Sequence, residues 1–144
     1  MRTIACAILA ASIALPCAAA AREDTPAETK RVVRAWSARL NAYDNAGVAR
    51  LFARPATFVQ GGASLRLATS ADVALWHSLL PCAGRIVSIA VEGERATAVF
   101  VLANGRRRRC DAPGATAAAV FRVRGGKIHR WTQIPVPKPK GPTA

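Results

Sequence analysis

The stretch Phe121-Arg122-Val123-Arg124-Gly125-Gly126-Lys127-Ile128-His129-Arg130-Trp131 decides the fold class. Phe121 and Val123 alternate with Arg122 and Arg124, the two-residue period of a strand with one apolar and one wet face. Gly125-Gly126 supplies a tight turn, and Lys127 to Ile134 reads as the returning strand. The same period runs upstream through Ala115 to Arg124, Arg95 to Ala103, and Arg85 to Glu92, where Val87, Ile89 and Val91 alternate with smaller or polar residues. Glu92-Gly93-Glu94 turns the chain between two of these, and a polar loop from Asn104-Gly105 to Gly114 joins the next pair. Consecutive strands with short connections predict an antiparallel sheet.

The preceding half is helical in pattern. From Glu28 to about Tyr43, Val32, Val33, Trp36, Leu40 and Tyr43 recur at three- and four-residue steps, one stripe of a helix. Asp44 or Asn45 can cap a second helix from Ala46 to Ala53, with Val48, Leu51 and Phe52 inward, and Pro55 stops it. Thr57 to Gln60 and Ser64 to Ala68 read as a hairpin around Gly61-Gly62. Ser70 caps a third helix carrying Val73, Trp76, Leu79 and Leu80, ended by Pro81. Helices covering one face of an antiparallel sheet make an α+β domain.

The chain has 144 residues, 51% of them apolar, which excludes disorder throughout and fits one domain. Its N-terminus reads as a cleavable export leader, residues 1–21. Arg2 is followed by an uncharged apolar run to Leu15, by Pro16, and by small residues with cleavage expected after Ala20 or Ala21. A membrane anchor is the weaker reading, because about 20 apolar residues are needed to cross a bilayer. A lipid anchor at Cys17 is weaker too, since Ala14-Leu15-Pro16 matches a lipobox poorly. The expected location is secreted or periplasmic. Cys6 and Cys17 leave with the leader, and Cys82 and Cys110 remain in an oxidising compartment. Two free thiols or a catalytic cysteine are the alternatives; a structural disulfide is favoured, stabilising by about 3–4 kcal/mol through loop closure. His77 and His129 are isolated, so no metal site is expected, and no cofactor. Residues 135–144, rich in Pro and Lys, read as a flexible tail.

The element order and the residues Val33-Arg34-Ala35-Trp36, Leu40-Asn41-Ala42-Tyr43-Asp44, Leu51-Phe52-Ala53, Pro55-Ala56-Thr57-Phe58 and Phe121 to Ile128 with Trp131 resemble the nuclear transport factor 2-like superfamily. That group includes the SnoaL-like polyketide cyclases and the steroid isomerases. The resemblance spans nearly all of residues 22–134 and implies a cystatin-like cone: a strongly curved sheet wrapped around about three helices, with a pocket between them. In the isomerase branch a helix Tyr, a base Asp and a second acid do the chemistry. The resemblance sets Trp36, Gln60 and Ala119 at those positions. Trp carries only a donor, Gln does not titrate and Ala offers nothing, so that proton transfer is not expected.

With no carboxylate predicted inside the cone, the resemblance implies a pocket of rings and amides: Trp36, Phe58, Gln60, Phe121, Trp131 and Gln133, suited to a small, mostly apolar ligand. Alternation places His129, Trp131 and Gln133 on one face of the last strand, with Arg130 and Thr132 on the other. Two functions remain. One is a noncatalytic ligand-binding or interaction domain, compatible with a homodimer through the outer sheet face. The other is an isomerase, cyclase or hydrolase with a divergent set such as His129 with Asp111 or Tyr43. The balance of 21 Lys and Arg against 8 Asp and Glu, with Arg106-Arg107-Arg108-Arg109 concentrated in one loop, implies nonspecific adhesion to polyanions. No aromatic interleaves the arginines, so specific nucleic-acid binding is not expected.

Overall fold

The computed structural model describes residues 23–138; the leader read at 1–21, with Cys6 and Cys17, and residues 139–144 of the tail fall outside them. Helix α1 spans Pro26–Asn41. The Thr25 hydroxyl accepts from the Glu28 N–H while the Glu28 carboxylate accepts from the Thr25 N–H, satisfying two donors that a helix start leaves open. The helix stops before Tyr43, which takes a left-handed φ of 61°. Its N–H donates to the Leu40 carbonyl and the Asp44 N–H to the Arg39 carbonyl, the paired bonds of a Schellman turn. Tyr43 therefore belongs to the turn and not to the apolar stripe. Asp44 caps α2 (Asn45–Ala49) by accepting from the Gly47 N–H, and the Arg39 guanidinium sits 2.7 Å away. The Gly47 bond and then Arg39 hold the Asp44 carboxyl below its ordinary range.

The second helix is shorter than its sequence pattern. Phe52 leaves it and opens strand β1 (Phe52–Gln60), where its ring stacks on Phe58 at 4.9 Å. The register of β1 slips between Phe52 and Thr57, and Pro55, which has no N–H for a ladder, lies in that slip. Strand β2 (Ala63–Leu67) returns through the Gly61-Gly62 turn. Helix α3 (Ser70–Ser78) is capped by Thr69, one residue earlier than Ser70, because Thr69 and Asp72 exchange bonds as Thr25 and Glu28 do.

Strands β3 (Cys82–Glu92), β4 (Arg95–Asn104), β5 (Thr116–Arg124) and β6 (Lys127–Ile134) complete a six-stranded sheet in the order β2-β1-β6-β5-β4-β3. All neighbours are antiparallel except β1 and β6, which run parallel. This is the expected α+β cone, with the sheet curved around the helices.

Three positions depart from simple alternation. A bulge in β3 between Ile86 and Ser88 turns Ile86 toward the core and leaves Val87 46% exposed. A slip between β5 and β6 skips His129, so Ile128 and Trp131 are buried together and His129 lies exposed on the outer face. In α3 the inward stripe is Val73 with His77, one turn apart, while Leu79 is 59% exposed.

His77 is the centre of the aromatic core, 1% exposed. Its Nε2 accepts from the Trp36 indole N–H at 2.9 Å and its Nδ1 lies 2.8 Å from the Val73 carbonyl, which can only accept. The ring is thus assigned as the neutral Nδ1–H tautomer with both nitrogens satisfied. Rings of Trp36, Phe52, Phe58 and Trp76 surround it at centroid distances of 4.9–6.1 Å.

Cys82 and Cys110 are joined, tying the start of β3 to the loop before β5 across 28 positions. Reduction is expected to lower unfolding free energy by about 3 kcal/mol. Urea titrations with and without dithiothreitol measure it, and a Cys82→Ala/Cys110→Ala protein should show no such difference. Burial pushes the His77 pKa from 6.5 down to about 4. Between those values the unfolded chain alone binds the proton, so stability falls as pH drops from 6.5 to about 4, by about 3 kcal/mol in all. His77→Phe is expected to flatten that stretch of the stability–pH curve, while costing about 1–3 kcal/mol at neutral pH because the Trp36 N–H loses its acceptor.

Candidate functional site

A hollow of about 330 Å³ lies between α1 and the inner face of the curved sheet. Helix α1 is docked at its rim by Asn41, whose side-chain amide donates to the Gly84 carbonyl at 2.8 Å and accepts from the Gly84 N–H at 3.0 Å. On its other side Gly84 lies close to β4: a Cβ there would stand 3.2 Å from the Val101 carbonyl oxygen, a tight contact.

Four of the residues expected around a ligand line this hollow: Trp36, Gln60, Trp131 and Gln133. Ala119 joins them, directly opposite Gln133 in the β5–β6 ladder. Phe58 and Phe121 do not reach the wall. They are 1% and 0% exposed and lie one layer deeper, Phe121 against Trp36 at 5.0 Å and Phe58 against Trp131 at 6.2 Å, because their strands point them into the aromatic core. Sequence alternation assigns an inward face but not a depth. Phe100, Leu102 and Leu80, absent from the sequence-derived set, complete the apolar wall.

The polar groups differ in what they have left to give. Trp36 presents its ring, but its only donor ends on His77. Trp131 is buried with its indole N–H unpaired among the described residues, packed edge-to-face with Trp76 at 5.0 Å. Gln60 and Gln133 are exposed at the mouth, with no hydrogen bond from either side chain among the described residues.

One carboxylate, not expected there, also borders the hollow. Asp111 is exposed, and its Oδ1 lies 3.1 Å from Cys82 Sγ. That is a contact and not a hydrogen bond, because a disulfide sulfur carries no proton. Cys82, Cys110 and Asp111 bring ligand-type atoms together, yet the two sulfurs are bonded to each other and neither is a thiolate. The bridge holds Asp111 in place, helped by the Cys110 N–H donating to Asn104 Oδ1 at 3.0 Å. Among the described residues Asp111 is the only ionisable side chain in the wall.

The other candidate groups lie elsewhere. His129 borders a depression on the outer face with Thr57, Arg122, Arg124 and Arg130, so it does not meet Asp111. Tyr43 packs under Arg107, whose guanidinium carbon stands 4.8 Å from the ring centroid. Arg108 donates to the Leu79 carbonyl at 3.3 Å, which makes two of the four loop arginines packing residues as well as charges. No helix of the described residues is long and apolar enough to cross a membrane.

Comparison with solved structures finds the same architecture in proteins of low sequence identity. A Sinorhizobium meliloti protein assigned as a polyketide cyclase is 17% identical, with a TM-score of 0.61 over 72% of this chain and 94% of its own. A Catenulispora acidiphila protein with a ketosteroid isomerase-like fold, solved with trimethylamine, is 21% identical, with a TM-score of 0.59 over 77% and 86%. A de novo designed protein with a curved β-sheet is 15% identical, with a TM-score of 0.64 over 76% and 86%. These likenesses show the fold alone, and a designed member underlines that the fold does not fix an activity. No curated protein matches by sequence. The sequence description of the SnoaL-like domain matches residues 33–131, from the inward Val33 of α1 to Trp131 at the cavity wall, and the chain belongs to that family.

Proposed function

We propose that this protein is an exported, noncatalytic member of the family that holds one small, mostly apolar molecule in its hollow. Residues 1–21 serve as the export leader, residues 22–134 as the binding domain and residues 135–144 as a Pro- and Lys-rich tail. One observation carries the reading: among the described residues the wall contains a single ionisable side chain, Asp111, which is exposed. Proton transfer on a bound substrate needs an acid or base within about 3 Å of the reacting atom, and the inner wall of Trp36, Ala119 and Trp131 supplies none. The neutral His77 beneath is fully engaged by Trp36 and Val73.

In this reading Trp36 and Trp131 meet the ligand with their rings, while Gln60 and Gln133 fix a polar end at the mouth. Phe58 and Phe121 act from the layer below, by holding those rings. With no Lys, Arg or His in the described wall, an anionic ligand finds no counter-charge, and neutral or cationic molecules are favoured. The fold relative solved with trimethylamine holds a small amine of that kind.

The competing reading, an isomerase, cyclase or hydrolase, rests on Asp111 bordering the hollow. It must work without the partners named from the sequence, since His129 lies on the outer face and Tyr43 in the turn after α1.

Tryptophan fluorescence titration is expected to show saturable binding of neutral indole, with benzoate at least about tenfold weaker, a difference of about 1.4 kcal/mol. Ala119→Phe, which fills the hollow, should abolish the indole signal. Equal affinity for the two probes would contradict the charge argument. Native mass spectrometry of the exported protein reports the mature mass and any copurified molecule. Turnover of a candidate substrate that Asp111→Asn removes without altering its binding would overturn the noncatalytic reading.

A further inference from the structure

The ladder registers align the arginines of the outer face. Arg66 on β2 is opposite Thr57 on β1, Thr57 is opposite Arg130 on β6, Arg130 is opposite Arg122 on β5, and Arg122 is opposite Arg95 on β4. All four arginines are exposed, and residues directly opposite each other share a face. With Thr57 between Arg66 and Arg130, they form one row across five strands that follows the curve of the sheet, each step about 4.8 Å. Like charges placed directly opposite destabilise a sheet, and Arg130, Arg122 and Arg95 stand on three consecutive strands. Among the described residues this charge is offset only in part, Glu94 lying within electrostatic reach of Arg122. Among the described residues none of the three makes an ion pair. The nearby Glu94 is held by Arg124 through bonds of 2.7 and 3.0 Å, and Glu92 stands at the end of the row, opposite Arg95. Arg130 donates only to Thr132, at 3.4 Å.

Two depressions open on this face, of about 220 and 250 Å³, and both include Arg122 and Arg130. Arg95 borders the first; Thr57, Arg124 and His129 border the second. We infer that this row is an anion site, separate from the hollow, for a molecule carrying two or more phosphate-type groups, one in each depression with Arg122 and Arg130 shared between them. Guanidinium forks match the oxygens of such groups bidentately. A second copy of the chain does not fit the row, because a symmetric pairing there sets arginine against arginine. The phosphate chemistry is common to a soluble oligophosphate and to an anionic lipid headgroup.

Isothermal titration of the full mature protein with inorganic tripolyphosphate is expected to show one saturable site, with orthophosphate at least tenfold weaker. Arg122→Gln/Arg130→Gln should weaken tripolyphosphate at least tenfold, while Arg106→Ala/Arg109→Ala, which removes the same charge from the loop, should change it less than threefold. Thermal melting checks that both variants remain folded; if the glutamine protein does not, Arg95→Gln carries the same comparison with a smaller loss. Cosedimentation with phosphatidylglycerol vesicles separates the sources. Vesicle binding lost in the row variant supports a lipid headgroup, and triphosphate binding without vesicle binding supports a soluble ligand. No saturable site, or equal losses from row and loop variants, overturns the inference. Indole binding in the hollow is read independently, so the two proposals fail separately.

Discussion

The bond from the Trp36 indole to the His77 imidazole joins the first helix to the third inside the curved sheet. It lets two polar rings be buried with their ring nitrogens satisfied, where a lone indole N–H or imidazole in a ring-filled core costs about 1–3 kcal/mol. Because both His77 nitrogens are engaged, the ring is held at one angle, and Phe52, Phe58, Trp36 and Trp76 pack around that angle. Trp36 then has one orientation, and its ring becomes a fixed part of the hollow's wall. The same bond that secures the core therefore takes the Trp36 indole N–H away from the hollow.

Charge is partitioned by the sheet. A chain with a formal charge of +13 encloses a hollow whose described wall has no basic side chain, because strand alternation sends the arginines of β2, β4, β5 and β6 outward. On the proposed readings the interior takes neutral or cationic molecules and the exterior takes anions. These preferences are physically independent, since the hollow and the row are on opposite faces of one sheet. The disulfide contributes to the inner surface twice, lining it through Cys82 and holding the loop that brings Asp111 to its mouth.

Much of this was legible in residues. The Phe121 to Trp131 hairpin, the Asp44 cap signal before α2, and the Gly61-Gly62 turn appear where their chemistry demands, because turns and caps are local. Trp36, Gln60, Trp131 and Gln133 were within reach of the family likeness and do line the hollow. Phe52, Leu79, Val87 and His129 were not read correctly, and each failed for a nonlocal reason. A strand began where a helix pattern continued, a histidine took the inward place in α3, and two register slips reversed the faces of their neighbours. His77 carried one usable signal, its position one turn after Val73 and next to Trp76, which an apolar count passes over.

By itself the sequence determined the element order, the α+β class and the sign of the surface, since these follow from periodicity, turn residues and composition, and it favoured over free thiols the cysteine pairing that the structure shows. Only the tertiary structure decided that Phe58 and Phe121 lie beneath the wall, that Asp111 stands at the mouth and His129 outside, and that four distant arginines form one row. The physical reason is register. A single skipped residue in a ladder exchanges inside for outside, and its energy comes from partners dozens of residues away, which no local pattern records.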